Sequence, residues 1–242
     1  MQLFIITGTT RGLGFSLAGQ ALKAGHFVIS LSRESAFKAP NFINIKHDLT
    51  KIKGLDKKFL TALKKIDMKK VKAIHLINNA AVIGPIESAE HFSLEQIETH
   101  MQVNVVAPMY LTSLVLNTFK KKKCFQTFTN ISSGAAVRTI PAWSLYCSGK
   151  AGLRMFTDCL ADDYKKINNF RFLDFSPGVM DTNMQATIRK QKSKTFSRLD
   201  DFKQLKEKNL LLSADKVAMA LLEVLKDPKA IDKTHYDIKD LL

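Results

Sequence analysis

Near its amino end the chain runs Leu3-Phe4-Ile5-Ile6-Thr7-Gly8-Thr9-Thr10-Arg11-Gly12-Leu13-Gly14, an apolar run that breaks into three glycines and passes at once into a helical pattern. Glycines at a strand-to-helix turn let the backbone approach a pyrophosphate, and the helix that follows offers unpaired N–H groups and the positive end of its dipole. The spacing is Gly-x-x-x-Gly-x-Gly rather than Gly-x-Gly-x-x-Gly, so the glycines alone also fit a plain tight turn. Their place between the first apolar run and the first helical stretch favours a phosphate cradle built from Gly8, Thr10, Arg11, Gly12, Leu13 and Gly14.

Outward from this turn, short apolar runs recur at 2–7, 26–31, 42–46, 72–78, 124–130 and 170–176, with helical patterns at 12–24, 52–67, 93–119, 143–167 and 213–226. Such alternation predicts a parallel sheet covered by helices on both faces. Runs such as Ala73-Ile74-His75-Leu76-Ile77 are apolar almost throughout, which suits strands buried on both sides. His235 to Ile238 reads as a weaker seventh strand, and Ser213 as the cap of the last helix. The expected fold is α/β: one Rossmann-type, doubly wound, seven-stranded parallel sheet in a single domain spanning 1–242. Residues 183–212 break the alternation and read as a substrate lid inserted over the working edge of the sheet. Within them Phe196, Leu199, Phe202 and Leu205 recur every third residue, a spacing that fits either the apolar face of a lid or ordinary core packing.

The 242 residues are 45% hydrophobic and 24% charged, which excludes an intrinsically disordered chain. A chain of this length buries roughly 70–75% of its unfolded surface and needs no disulfide or metal to stay folded. Cys124, Cys147 and Cys159 are odd in number and lack the paired spacings of a zinc site, so free thiols in a reducing compartment are expected. No run approaches the ~18–20 apolar residues of a membrane span, and Leu3 to Ile6 is too short for a signal peptide's apolar region. These features predict a cytoplasmic protein with no membrane partner. Lys and Arg number 37 against 22 Asp and Glu, a formal charge of +15 that would attract any polyanion. No nucleic-acid recognition motif accompanies the charge, and Lys120 to Lys123 close a helical pattern, where cations complement the dipole. An anionic cofactor, not a nucleic acid, is the expected partner.

Where an NAD site usually carries an acid after the second strand, this chain has Ser32-Arg33. A guanidinium there, with Arg11 from the glycine turn, suits a ribose 2′-phosphate and so NADPH or NADP+. Further on, Tyr146 and Lys150 stand four apart at the start of a helical stretch, hence on one face. An ammonium near a phenol favours phenolate, so the pair predicts a tyrosine pKa drawn down toward neutral. Ser133, thirteen residues before Tyr146, and Asn104 in the preceding helix complete a candidate constellation.

Taken together, Thr7 to Gly14, Asp48-Leu49, Asn78-Asn79-Ala80, Asn104, Ser133, Tyr146 with Lys150, and Pro177-Gly178 followed by Thr182 resemble the short-chain dehydrogenase/reductase family over essentially the whole chain. The resemblance implies that Tyr146 donates the proton to a carbonyl and that Lys150 lowers its pKa and holds the nicotinamide ribose. It further implies that Ser133 binds the reacting oxygen and that the backbone at Asn104 anchors a water. By the same resemblance Asp48 and Leu49 flank the adenine, Asn79 and Ala80 line the middle of the cofactor, Val179 with Thr182 contacts the carboxamide, and Pro177 and Gly178 also belong to the cofactor site. One position departs from the family pattern: Ala81 follows Asn-Asn-Ala where glycine is usual, which is harmless unless the site needs a positive φ.

A narrower resemblance joins Asn130 to Ala135, Tyr146-Cys147, Pro177 to Gln185, Leu199 to Phe202 and Leu211 to Ser213 to the bacterial benzil reductase branch, itself similar to sepiapterin reductases. It implies reduction of one keto group of a 1,2-diketone to an (S)-α-hydroxy ketone; read from the residues themselves, Trp143, Met180, Met184 and Phe202 are the candidate walls of an apolar substrate pocket. Reduction of a pterin side chain or a 3-oxoacyl thioester, and an NADPH-binding redox sensor without chemistry, are the alternatives left open. The long helices at 93–119 and 143–167 resemble those through which the family forms homodimers or homotetramers.

Overall fold

A computed structural model describes all residues, 1–242. Its seven strands are β1 Leu3–Thr7, β2 Phe27–Ser32, β3 Phe42–Lys46, β4 Ala73–Asn78, β5 Phe125–Ile131, β6 Phe170–Ser176 and β7 His235–Asp237. All pair in parallel, in the order β3-β2-β1-β4-β5-β6-β7. β1 lies in the interior of the sheet beside the central β4, with Leu3 opposite Phe27 on one side and Ile74 on the other. Every residue of β1, β2 and β4 is buried, as expected of strands covered on both faces. The order reverses between β1 and β4, and the crevice this opens at the carboxyl ends of the strands is where ligands enter such sheets.

The helices are α1 Gly12–Lys23, α2 Leu55–Leu63, α3 Leu94–Met101, α4 Ala107–Phe119, α5 Ser144–Asp163, α6 Asn183–Arg189, α7 Leu199–Glu207 and α8 Ala214–Lys226. Leu13 and Leu17 of α1 meet Val217 and Leu221 of α8 over one face of the sheet. Phe59 of α2 and Leu111, Val115 and Phe119 of α4 cover the other. Helix α8 begins where the sequence indicates, with the Ser213 hydroxyl accepting the Lys216 N–H at 3.2 Å.

One expectation is revised by the backbone. The stretch 93–119 is not one α-helix: α3 and α4 are joined by a π-helical turn, Gln102–Val106. Pro108, in the first turn of α4, has no N–H to give, so the α-helical ladder cannot pass through it unbroken, and the wider turn absorbs the break. The segment 183–212 forms α6 and α7, its flanks joined by a parallel bridge between Met180 and Leu212. A third apolar cluster forms beneath it at the carboxyl edge, gathering Trp143, Tyr146, Ile188, Phe196, Leu199 and Phe202. No helix is long and apolar enough to cross a membrane.

Candidate active site

A cleft of about 1010 Å³ runs along the carboxyl edge of the sheet, from the glycine turn to the third apolar cluster. At one end Gly8 and Gly12 adopt φ of +72° and +57°, conformations that only glycine takes without strain. Asn79, just beyond β4, pins this turn: its side-chain amide donates to Thr7 O at 2.9 Å and Gly8 O at 3.1 Å. The N–H groups of Asn79 and Ala80 both donate to Thr7 Oγ1 at 2.9 Å. Arg11 precedes α1 without capping it, so the first-turn N–H groups face the cleft with no side-chain acceptor. These donors and the glycine backbone fit the pyrophosphate of a dinucleotide.

Gly14 does not line the cleft. A Cβ there would fall onto the Gly8 carbonyl and the Asn79 amide, so this glycine lets α1 close onto β1. Gly14→Ala should therefore destabilise the fold by about 2–4 kcal/mol, because the obstructing atom is backbone. A thermal melt checks this; an unchanged midpoint would contradict it.

Arg11 and Arg33 are exposed and line the same cleft. Ser32 lines it too, but its hydroxyl is turned inward, within hydrogen-bond reach of Glu34 O at 2.5 Å and Asn44 Oδ1 at 2.8 Å, one of which takes its proton. The Asp48 carboxyl is drawn below its usual range, chiefly by the Thr50 N–H that it accepts at 3.0 Å. Leu49, Asn79 and Ala80 continue the wall, and Pro177, Gly178, Val179 and Thr182 close it from the loop after β6. Ala81 is not among the residues with positive φ and carries no strain there.

At the centre, α5 places Tyr146 and Lys150 one turn apart, 6% and 3% exposed, facing Ser133 at the end of β5. Lys150 Nζ donates to Ile131 O at 2.6 Å and stands 5.7 Å from the centre of the Tyr146 ring. The lowered tyrosine pKa expected from sequence is not what the site produces. Burial pushes the Tyr146 phenol up to about 12, although the Ser133 hydroxyl pulls it back. Burial likewise brings Lys150 down to about 8, with the charge of Asp174 opposing. Desolvation outweighs the attraction because the ammonium is aimed at a carbonyl, and Tyr146 remains a phenol able to donate a proton.

Asn104 lies in the π turn behind this wall, not on it. Its Oδ1 accepts the Val82 N–H at 2.9 Å and its Nδ2 donates to Val82 O at 2.8 Å. It also donates to His100 Nε2 at 2.7 Å, while His100 Nδ1 donates to Gly84 O at 2.7 Å, which fixes the tautomer. Burial lowers the His100 pKa, in keeping with a neutral ring. The ring stands edge-on to Tyr146, centroids 6.1 Å apart. Sequence reading passed over His100, although its place four residues before Asn104 is the available signal.

The far end of the cleft is aromatic. Trp143 stacks on Phe196 at 5.6 Å and meets Tyr146 and Phe202, each at 5.5 Å. Phe196 and Leu199 are core residues, 0% and 3% exposed, whereas Phe202 and Leu205 face the cleft with Met180 and Met184. The four-residue stripe thus serves packing and pocket together. Lys206 of α7 pairs with Asp181 at 2.6 Å, fastening α7 over the opening. Arg138 also lines the cleft, its guanidinium over Gly134, in a loop where the sequence carries no periodic signal.

The family model for short chain dehydrogenase matches residues 2–193. The chain is 39% identical to "Benzil reductase ((S)-benzoin forming)" of Bacillus subtilis (strain 168), over 100% of both chains. It is 28% identical to the sepiapterin reductase of Xenopus tropicalis, over 98% of this chain and 96% of that one. Among solved structures, the KRED1-Pglu enzyme superposes with a TM-score of 0.83 at 23% identity, covering 97% of this chain and 100% of that one, a likeness of fold. With a glycine turn, a Tyr–Lys pair and a neighbouring serine along one cleft, and with these matches, the chain belongs to the short-chain dehydrogenase family of oxidoreductases.

Proposed function

We propose that the protein is an NADPH-dependent carbonyl reductase that converts one keto group of a 1,2-diketone into an (S)-α-hydroxy ketone. The observation that carries this reading is the single cleft in which the glycine turn, the Ser133–Tyr146–Lys150 group and the Trp143–Phe202 wall are continuous. The similarity to a benzil reductase supports the substrate class. Bound at the glycine turn, the dinucleotide supplies the hydride. The chain's own residues do the rest. Gly8 to Leu13 and the first turn of α1 hold the pyrophosphate, and Arg11 and Arg33 take the 2′-phosphate. Ser133 hydrogen-bonds the carbonyl oxygen, Tyr146 delivers its proton to that oxygen, and Lys150 stands behind it as a cation. Trp143, Met184 and Phe202 receive the apolar flank of the ketone and, with α6 and α7 as a lid, exclude water.

The test follows loss of NADPH and of NADH separately with benzil, sepiapterin and an acetoacetyl thioester. The reading expects benzil to be reduced fastest, with NADPH preferred; consumption confined to the thioester would overturn the substrate class. Arg33→Ala should lower NADPH affinity about 10-fold or more and leave NADH affinity within about 2-fold, since one charge-assisted contact is lost for the 2′-phosphate alone. Equal losses for both cofactors would remove Arg33 from that role.

A further inference from the structure

One cation of the cleft has no part in the chemistry given so far. Arg138 lies in the irregular stretch that leads from the turn Gly134–Ala136, just after Ser133, to the start of α5 and Tyr146. The chain at Arg138 thus passes between the two groups that face the reacting carbonyl. Its main chain leans on α5, with its carbonyl oxygen 3.8 Å from the Sγ of Cys147, the residue after Tyr146. Its side chain turns back over the residue after Ser133. A Cβ at Gly134 would fall 2.5 Å from Arg138 Nη2 and 3.0 Å from its Cζ and Nε, so the guanidinium fills the space that a larger side chain there would claim.

The acids of the cleft leave this guanidinium free. Asp48 accepts the Thr50 N–H, Asp201 is taken by Arg198 Nε at 2.9 Å, and Asp237 accepts the Lys239 N–H at 3.0 Å. Arg138 is exposed and enters no ion pair with any of them. The same end of the cleft is otherwise walled by Trp143, Met184 and Phe202. An aromatic wall and a free cation, with Ser133 and Tyr146 beside them, suit a ligand that joins an aryl group, a carbonyl and an anionic oxygen. The planar fork of a guanidinium matches a carboxylate through two parallel hydrogen bonds. The formal charge of +15 draws such an anion toward the protein.

We propose that Arg138 forms a carboxylate subsite, through which the cleft also reduces aryl 2-keto acids to 2-hydroxy acids. Hydride passes from NADPH, which becomes NADP+, to the keto carbon, and the Tyr146 proton passes to the keto oxygen. Tyr146 regains a proton from water, and the carboxylate, held by Arg138, is unchanged. This rests on the carbonyl-reducing role given to the cleft above and widens its substrate class.

The experiment compares benzoylformate with its methyl ester, which keeps the skeleton and loses the charge, and with benzil. NADPH consumption is followed for the unsubstituted protein and for Arg138→Gln, and calorimetry measures benzoylformate binding to each with NADP+ present. Because the Arg138 side chain is exposed and holds no acid, the variant should fold normally. The unsubstituted protein should reduce benzoylformate. In Arg138→Gln its kcat/KM should fall about 10-fold or more, mainly through KM, and its affinity should weaken alike, while the ester and benzil stay within about 3-fold. Benzoylformate left unreduced by the unsubstituted protein, or equal losses for acid and ester, overturns the inference. Reduction of benzoylformate that depends on Arg138, in a protein that leaves benzil untouched, would uphold the subsite and count against the diketone reading. Benzil reduction without benzoylformate binding would do the reverse.

Discussion

Tyr146→Phe is expected to lower NADPH-dependent diketone reduction by about 10²–10⁴-fold, the range of a positioned proton donor, while NADPH affinity changes by less than about 3-fold. The phenyl ring keeps the edge contacts with His100 and Trp143, so the apolar packing around it persists. What is lost is a buried phenol whose proton is firmly held at neutral pH, its pKa pushed up to about 12. Steady-state rates and fluorescence titration with NADPH separate the two effects. Turnover within about 10-fold of the unsubstituted protein would assign the proton to another group.

Lys150→Met should show the reverse pairing of stability with function. The buried ammonium has its pKa lowered from 10.5 to about 8, so below about pH 8 the folded state carries a charge that it disfavours. The penalty is fully present at neutral pH, on the order of 3 kcal/mol, and is relieved as pH rises from about 8 to 10.5, where the unfolded chain binds the proton and the folded one does not. Methionine removes the penalty and also the bond to Ile131 O, a charged hydrogen bond of about 1.5–3 kcal/mol. The two nearly cancel. The variant should therefore unfold within about 2 kcal/mol of the unsubstituted protein at pH 7 and be relatively less stable near pH 10, with turnover down about 10²-fold or more. Denaturant melts at the two pH values check this. A variant several kcal/mol less stable at pH 7 would make Lys150 a structural residue.

The sheet was legible because burial on two faces writes itself as unbroken apolar runs. β3 and β6 fall on the expected residues, and even the three-residue β7 lies within the expected His235 to Ile238. The glycine turn was legible because its constraints are backbone constraints, visible as residue type at Gly8 and Gly12. The π turn at Gln102–Val106 was not, since one extra residue in a helix leaves the apolar period nearly intact; Pro108 was the only mark of it. The tyrosine pKa was read in the wrong direction for a related reason. Four-residue spacing reports that Tyr146 and Lys150 are neighbours, but neither how deeply both are buried nor that Nζ turns to Ile131 O. The aromatic stripe stayed ambiguous because packing and pocket use the same residues: Phe196 and Phe202 touch Trp143 and each other, yet only Phe202 lines the cleft. Arg138, on an irregular loop, had no period to betray it.

The measurement that bears most directly on the convergence of cofactor and proton donor is hydride tracing. NADPH carrying deuterium on the transferred position of its nicotinamide is mixed with a 1,2-diketone and the protein, and the hydroxy ketone is analysed by mass spectrometry and NMR. Deuterium should appear on the new carbinol carbon in proportion to NADPH consumed, and its rate of appearance should fall about 10²–10⁴-fold with Tyr146→Phe. A product free of deuterium, or labelling that persists undiminished in that variant, would contradict the assignment of this cleft as a carbonyl-reducing site.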